Sequence, residues 1–292
     1  MKNLKYYFQK AEEENFAIGQ FNFSDLTQMK AIVEMAEKFK SPVILGTSEG
    51  ESSFFGFEEA VALRNILREK YNLPIFLNLD HAKTFEYAKE AMDAGYDMVH
   101  IDGSKLSLAD NIKLTNQVVK YAKSGGIFNK KEILVEGEVG KIGTESSKVY
   151  TEKMKINEQD LTRPGEAKEF VKQTKADLLA VGIGNFHGVQ SSGENPNLRI
   201  DILQKIKENV GDVGIVLHGG SGTPENDIRE AIRSGVVKIN INTELRKAFA
   251  EGLKKSLNSG EIVPYKFLLD AKILVEKIVE EKLRIFDSIN KI

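Results

Sequence analysis

Short aliphatic and β-branched runs punctuate the chain at Ala17–Phe21, Pro42–Gly46, Ile75–Asp80, Met98–Asp102, Ile133–Glu138, Leu178–Gly182, Ile215–His218 and Val236–Asn240. Between them the apolar positions change to a helical period. Leu26, Met29, Ile32, Val33 and Ala36 share one face, as do Phe85, Ala88, Ala91 and Met92 ahead of Gly95, which reads as a helix-ending C′ residue. Thr223-Pro224-Glu225 reads as an N-cap hydroxyl, a proline at N1 and an acid in the first turn, with Ile228, Ala231 and Ile232 as the buried face. Such a βα rhythm predicts a parallel sheet flanked by helices. Eight units without a dividing linker fit an α/β fold, a (β/α)8 TIM barrel filling residues 1–292 as one domain, with a doubly wound open sheet as the competitor. Two segments exceed a minimal barrel: the polar stretch Lys141–Leu161, and an extra C-terminal helix presenting Val275, Ile278, Val279, Leu283 and Phe286. The first is expected to be a lid or a solvated loop, the second to close the core or cover a neighbouring subunit.

Composition narrows the function. The 292 residues are 41% hydrophobic and 29% charged with a net charge of −2 spread along the chain, so no basic surface for nucleic acid or anionic lipid is expected. Lacking cysteine, the chain has no disulfide, thiolate ligand or cysteine nucleophile, and a transition metal must rest on histidine and carboxylate. The N-terminal stretch lacks the apolar core of a signal peptide, and no apolar run reaches the roughly 20 residues of a membrane span. A cytoplasmic protein is expected.

In a (β/α)8 barrel the loops after the strands form one face, so residues at strand C-termini converge. Here those endings are polar: Asn22, Ser48, Asp80 with His81, Asp102, Glu138, Asn185 with His187, His218 before Gly-Gly-Ser-Gly, and Asn240 with Asn242 and Thr243. Any one of them alone is more often a structural polar group; eight on one face favour a site. His81, His187 and His218 form a three-imidazole set suited to Zn2+ with one open position. His100 shares strand parity with Asp102 and lies a layer deeper, a structural role. Asp80 is either a proton carrier beside the metal or a partner that orients a ligand. The glycines around Ser221, with Asn240, Asn242 and Thr243 opening the next helix, form a candidate phosphate cradle where barrels often bind one.

These motifs, in order along nearly the whole chain (Asp80-His81, the Glu138-x-Gly140 stretch, Gly184-Asn185-x-His187-Gly188, His218-Gly219-Gly220-Ser221-Gly222 and the run from Lys238 to Arg246), resemble class II, metal-dependent ketose-bisphosphate aldolases, the fructose- and tagatose-bisphosphate family. The resemblance implies a TIM barrel that reversibly cleaves a phosphorylated ketose, fructose-1,6-bisphosphate or a related bisphosphate, to dihydroxyacetone phosphate and an aldehyde. It further implies Zn2+ or another divalent metal on His81, His187 and His218, with Asp102 and Glu138 as alternative-site ligands, and Asp80 exchanging the substrate C4-hydroxyl proton. Gly188, Gly219, Ser221, Asn240 and Thr243 match phosphate contacts, Asn22 and Ser48 match substrate contacts, and Glu145 stands for the acidic lid residue. A monovalent cation, Na+ or K+, and a homodimer or homotetramer are implied as well.

The chain also departs from the pattern. Gln190-Ser191 replaces a Tyr-Lys pair, Asn242 matches neither epimer's usual residue, and Tyr265-Lys266 stands where an arginine is common. The alternatives are a family member acting on another ketose phosphate such as tagatose-1,6-bisphosphate, a Schiff-base lyase using Lys238, a metal-dependent hydrolase on the same barrel, and a non-catalytic sugar-phosphate-binding barrel.

Overall fold

A computed structural model describes residues 2–125, 132–143, 145–191 and 195–292. Ten strands occur among them: β1 (Ile18–Asn22), β2 (Val43–Ser48), β3 (Ile75–Ala82), β4 (Met98–Ile101), β5 (Leu134–Val139), β6 (Val149–Tyr150), β7 (Leu178–Val181), β8 (Val189–Gln190), β9 (Gly214–Leu217) and β10 (Val236–Ile241). Eight of these close into a parallel barrel in the order β1-β10-β9-β7-β5-β4-β3-β2, while β6 and β8 form a separate two-stranded ribbon. Around the barrel run α1 (Leu4–Glu13), α2 (Leu26–Lys38), α3 (Glu49–Phe55), α4 (Phe57–Tyr71), α5 (Phe85–Ala94), α6 (Leu108–Ser124), α7 (Pro164–Thr174), α8 (Ile200–Val210), α9 (Glu225–Arg233), α10 (Thr243–Asn258) and α11 (Pro264–Ile285). The closed barrel excludes the open sheet. Each predicted strand is present with its ends shifted by no more than two residues, within the usual spread of strand limits.

Alternation along the strands sorts the barrel interior by height. Ile18, Ile44, Phe76, Met98, Leu134, Leu178 and Val216 fill the lower end, where Leu4, Tyr7, Phe8 and Ala11 of α1 pack beneath them as a plug. Burying an aromatic of that size contributes about 1.5–3 kcal/mol. Two residues further along the same faces the barrel turns polar: Gln20, Asn78, His100 and Glu136 are wholly buried, and Lys238 of β10 reaches Glu136 from its own buried position. The apolar stripes of the helices cover the outer faces of the strands, and α11 contributes Val275, Val279 and Leu283 to that outer core.

Gly95 caps α5 in the left-handed region at φ 109° as expected. The start of α9 differs from the sequence expectation: Pro224 takes the N-cap position and makes no side-chain cap, while the Thr223 hydroxyl donates to the Gly219 carbonyl at 3.1 Å. Thr223 therefore closes the glycine turn instead of capping a helix.

Candidate active site

Each barrel strand ends on the same face, and the imidazoles gather there. The His81 ring lies 4.5 Å from that of His218 and 4.9 Å from that of His187, with His187 and His218 6.1 Å apart, centroid to centroid. His81 itself sits at φ 59°, a left-handed conformation that turns the chain at the end of the β3 ladder. Its Nδ1 is 2.9 Å from Asp102 Oδ2, while its Nε2 is buried without a hydrogen-bond partner. His218 is held the other way round: Nε2 meets Glu136 Oε1 at 2.6 Å, which leaves Nδ1 at the upper side, 3.2 Å from Asn240 Nδ2. In both, a carboxylate on one ring nitrogen fixes the other nitrogen toward the site, the usual support for a metal-binding imidazole.

Asp80, 6% exposed, accepts from Asn22 Nδ2 at 2.9 Å through Oδ2 and from Asn240 Nδ2 at 3.1 Å through Oδ1. Burial works against its charge, but the imidazoles of His81, His100 and His218 and the Lys238 ammonium hold its carboxyl well below the usual carboxylate range. Burial and the neighbouring His81 push His218 down to about 4, and the same two causes push His187 well below the ordinary histidine range. Both are held as neutral imidazoles, the form in which a ring nitrogen can ligate a cation.

Ligand-capable atoms of Asp80, His81, His100 and His218 lie within 4.8 Å of one another, and so do those of His81, Asp102 and Glu138. His187 enters through its ring contact with His81, outside that tightest set. His100 is closer to the centre than the sequence suggested. Although burial opposes its charge, Glu136, Asp80 and Glu138 around it raise His100 to about 10, and its Nδ1 lies 3.3 Å from His81 N. A divalent cation fits the chemistry of this donor set: neutral imidazoles, buried carboxylates, and the buried His81 Nε2 without a hydrogen-bond partner.

Two connected spaces meet here. An outer cleft of about 400 Å³ is bordered by Ser48, Asp80, His81, Lys83, Lys105, Glu145 and Arg246. A recess of about 50 Å³ runs between Gly188, Gly219, Ser221, Asn240, Asn242 and Thr243, the predicted phosphate contacts, at the N-terminus of α10. Gly219 requires its type of residue: at φ 65°, a Cβ would sit 2.2 Å from the Phe186 carbonyl oxygen. Gly219→Ala is expected to lose at least about 1–2 kcal/mol from the backbone conformation alone, read as a lowered urea midpoint; an unchanged midpoint would show that the turn relaxes freely.

The stretch 141–161 lies over this mouth, with Thr144 outside the described residues. It is stitched to the loop carrying His187: Gly143 accepts from His187 N at 3.0 Å, β6 pairs with β8, and Tyr150 accepts from Ser191 N at 2.8 Å. Ser146 receives the Thr243 hydroxyl at 2.8 Å and Arg246 Nη1 at 3.2 Å. Glu145 borders the outer cleft with its carboxylate on Lys148 at 3.0 Å. Asn185 holds the His218 carbonyl at 2.9 Å, a supporting contact. Ser48 caps α3 while lining both spaces. Asn242 donates to Glu51 at 3.3 Å. Lys238, the alternative Schiff-base residue, is wholly buried in an ion pair with Glu136 at 2.7 Å, which removes it from carbonyl attack.

Glu136 and Glu51 went unnoticed in the sequence. The signal for Glu136 was its strand parity with Glu138; for Glu51 it was the Ser-x-x-Glu spacing from Ser48, a capping box.

A sequence model of the family described as "Fructose-bisphosphate aldolase class-II" matches residues 2–291. The fructose-bisphosphate aldolase of Geobacillus stearothermophilus is 36% identical over 294 residues, 99% of this chain and 98% of that protein. That of Staphylococcus epidermidis is 35% identical over the same length and shares. Among solved structures, the YdjI aldolase of Escherichia coli K12 superposes with a TM-score of 0.81 at 27% identity, covering 99% of this chain and 98% of that one. A putative fructose-1,6-biphosphate aldolase of Coccidioides immitis gives 0.83 at 26%, covering 98% and 96%.

Proposed function

The chain belongs to the class-II fructose-bisphosphate aldolase family, and from that premise we propose fructose-1,6-bisphosphate as its substrate, split to dihydroxyacetone phosphate and an aldehyde phosphate with Zn2+ as the metal. The family is metal-dependent and its reaction is reversible aldol cleavage. The observation that carries the site assignment is the convergence of His81, His187 and His218 beside Asp80, with His81 Nε2 buried and unpartnered. His81, His187 and His218 would hold the ion, with Asp102 and Glu138 offering a second position. When bound, it supplies Lewis-acid stabilisation of the negative charge that develops on the substrate oxygens as the carbon–carbon bond breaks, worth several kcal/mol.

The chain's own groups do the rest. Asp80 takes the proton from the C4 hydroxyl as the aldehyde forms and returns it in condensation; donors on both of its oxygens fix its orientation. Gly188, Gly219, Ser221, Asn240, Asn242 and Thr243 hold the phosphate of the dihydroxyacetone half at the start of α10, with Na+ or K+ beside it. Asn22 and Ser48 contact the sugar, and Glu145 is the lid acid. Tagatose-1,6-bisphosphate is the alternative substrate, since the sequence at Asn242 favours neither epimer. A cytoplasmic location suits the cysteine-free chain; among the described residues no helix is long and apolar enough to cross a membrane. A homodimer or homotetramer is supported by the stripe of Ile262, Tyr265, Leu269 and Ile273, exposed at the start of α11.

Exhaustive chelation is expected to abolish cleavage of fructose-1,6-bisphosphate, and Zn2+ or Co2+ to restore it, with metal analysis of the same preparation naming the native ion. Activity that survives chelation refutes the metal assignment. A condensation screen of dihydroxyacetone phosphate against phosphorylated and unphosphorylated aldehydes then fixes the substrate; if bound metal accompanies no turnover of any ketose phosphate, the barrel is a binding protein.

A further inference from the structure

Glu51 opens the short helix α3, where its capping-box contacts with Ser48 account for one side of the carboxylate: Oε2 accepts from Ser48 N at 2.8 Å. Its remaining contacts have no part in capping. The same Oε2 accepts from Asn22 Nδ2 at 3.0 Å, and Oε1 accepts from Arg246 Nη2 at 2.6 Å and Asn242 Nδ2 at 3.3 Å. A capping glutamate normally has solvent on its free side, yet this one is 6% exposed and ties β1 to the first turn of α10.

Asn22 is the link to the chemistry. Its Nδ2 carries two protons, and the group lies within hydrogen-bond distance of two carboxylates, Glu51 and Asp80, while its Oδ1 accepts from Gln20 Nε2 at 3.1 Å. Gln20 is fixed in turn by Asn78 Nδ2 on its Oε1 at 2.7 Å. Turning the Asn22 amide over would place its oxygen against two carboxylate oxygens. Glu51 therefore joins Asp80 and Gln20 in fixing the observed orientation, and it holds the amide from the side away from the reacting centre. With a neutral amide in its place, the Asn22 N–H loses its charged acceptor on that side, and the amide is freer to swing away from Asp80 Oδ2.

We propose that Glu51 is a positioning residue of the aldol reaction: it locks the Asn22 amide, which holds Asp80 in line with the hydroxyl whose proton it exchanges. This rests on the reading of Asp80 given above. Misplacing a catalytic group by about 1 Å costs on the order of 100-fold. Asp80 acts on the aldehyde-forming hydroxyl and has no task in removing a carbon-bound proton from dihydroxyacetone phosphate alone.

The two steps separate in experiment. In the metal-loaded enzyme, Glu51→Gln is expected to lower kcat for ketose-bisphosphate cleavage by about 10- to 100-fold, with KM near wild type, and to leave exchange of the dihydroxyacetone phosphate carbon proton with deuterated solvent, followed by NMR, at the wild-type rate. Asn22→Ala, which also removes a sugar contact, is expected to lower kcat for cleavage at least as far with a raised KM, and adding Glu51→Gln to it is expected to cost little further in kcat, because both break one link. Cleavage and exchange falling together, additive losses, or an unchanged kcat would each overturn the proposal. Should Glu51→Gln not fold, Glu51→Asp, which keeps the charge but draws the carboxylate back from Asn22, decides by the same split between cleavage and exchange. A wild-type enzyme that neither cleaves nor exchanges would instead refute the proposed function.

Discussion

Asp80→Asn is expected to lower kcat for cleavage by about 10²–10⁴-fold, the range for removing a positioned proton carrier, while the bound metal stays at its wild-type amount. The asparagine fills the same volume, but an amide cannot take up the hydroxyl proton. It also presents an NH2 to one of the two amides, of Asn22 and Asn240, that donate to the native carboxylate. Steady-state cleavage kinetics alongside metal analysis check this. Near-native kcat with metal retained would remove Asp80 from the chemistry, and loss of metal in step with activity would make it a support for His81.

The second large effect is on stability. Glu136 is wholly buried beneath the site, bonded to Lys238 Nζ at 2.7 Å and His218 Nε2 at 2.6 Å, with His100 Nδ1 at 3.8 Å. Burial opposes its charge, but Lys238 and then His100 hold it well below the usual carboxylate range. Lys238→Met takes away the strongest of these partners and leaves a buried carboxylate short of its counter-charge, a defect worth about 3–5 kcal/mol. In a chain of this size that corresponds to a fall in Tm on the order of 10 °C. Lys238→Met with Glu136→Gln is expected to recover much of the loss, since no unpaired charge remains. Thermal unfolding of the single and double variants tests it: a single variant within about 1 kcal/mol of wild type would mean that the imidazoles alone neutralise Glu136.

The barrel was legible because its strands are short, bounded and separated by helical periods, and because the polar residues fall at one end of each. The small recess beside the histidines followed from glycines placed after β9. What escaped was polar chemistry inside the strands and in the shortest helix. Glu136 stands in Leu134-Val-Glu-Gly-Glu138, where its neighbours read simply as a strand, and only the pairing of β10 with β9, and of β7 with both β9 and β5, shows that Lys238 lies within reach of it. Glu51 sits in Glu49-Gly-Glu-Ser-Ser-Phe-Phe55, which carries no helical apolar stripe, so nothing in its pattern pointed to partners nearly 200 positions away, such as Arg246. Thr223 was misread because a hydroxyl ahead of a proline satisfies a glycine turn as readily as a helix start.

The ribbon of β6 and β8 binds the segment over the mouth to the loop bearing His187 through main-chain pairing, independent of side-chain identity. For anyone redesigning substrate preference, the two stretches are one cassette: a graft that changes the length of residues 143–150 without 186–191 mismatches the register between them and shifts an imidazole, whereas a transplant of both preserves the joint.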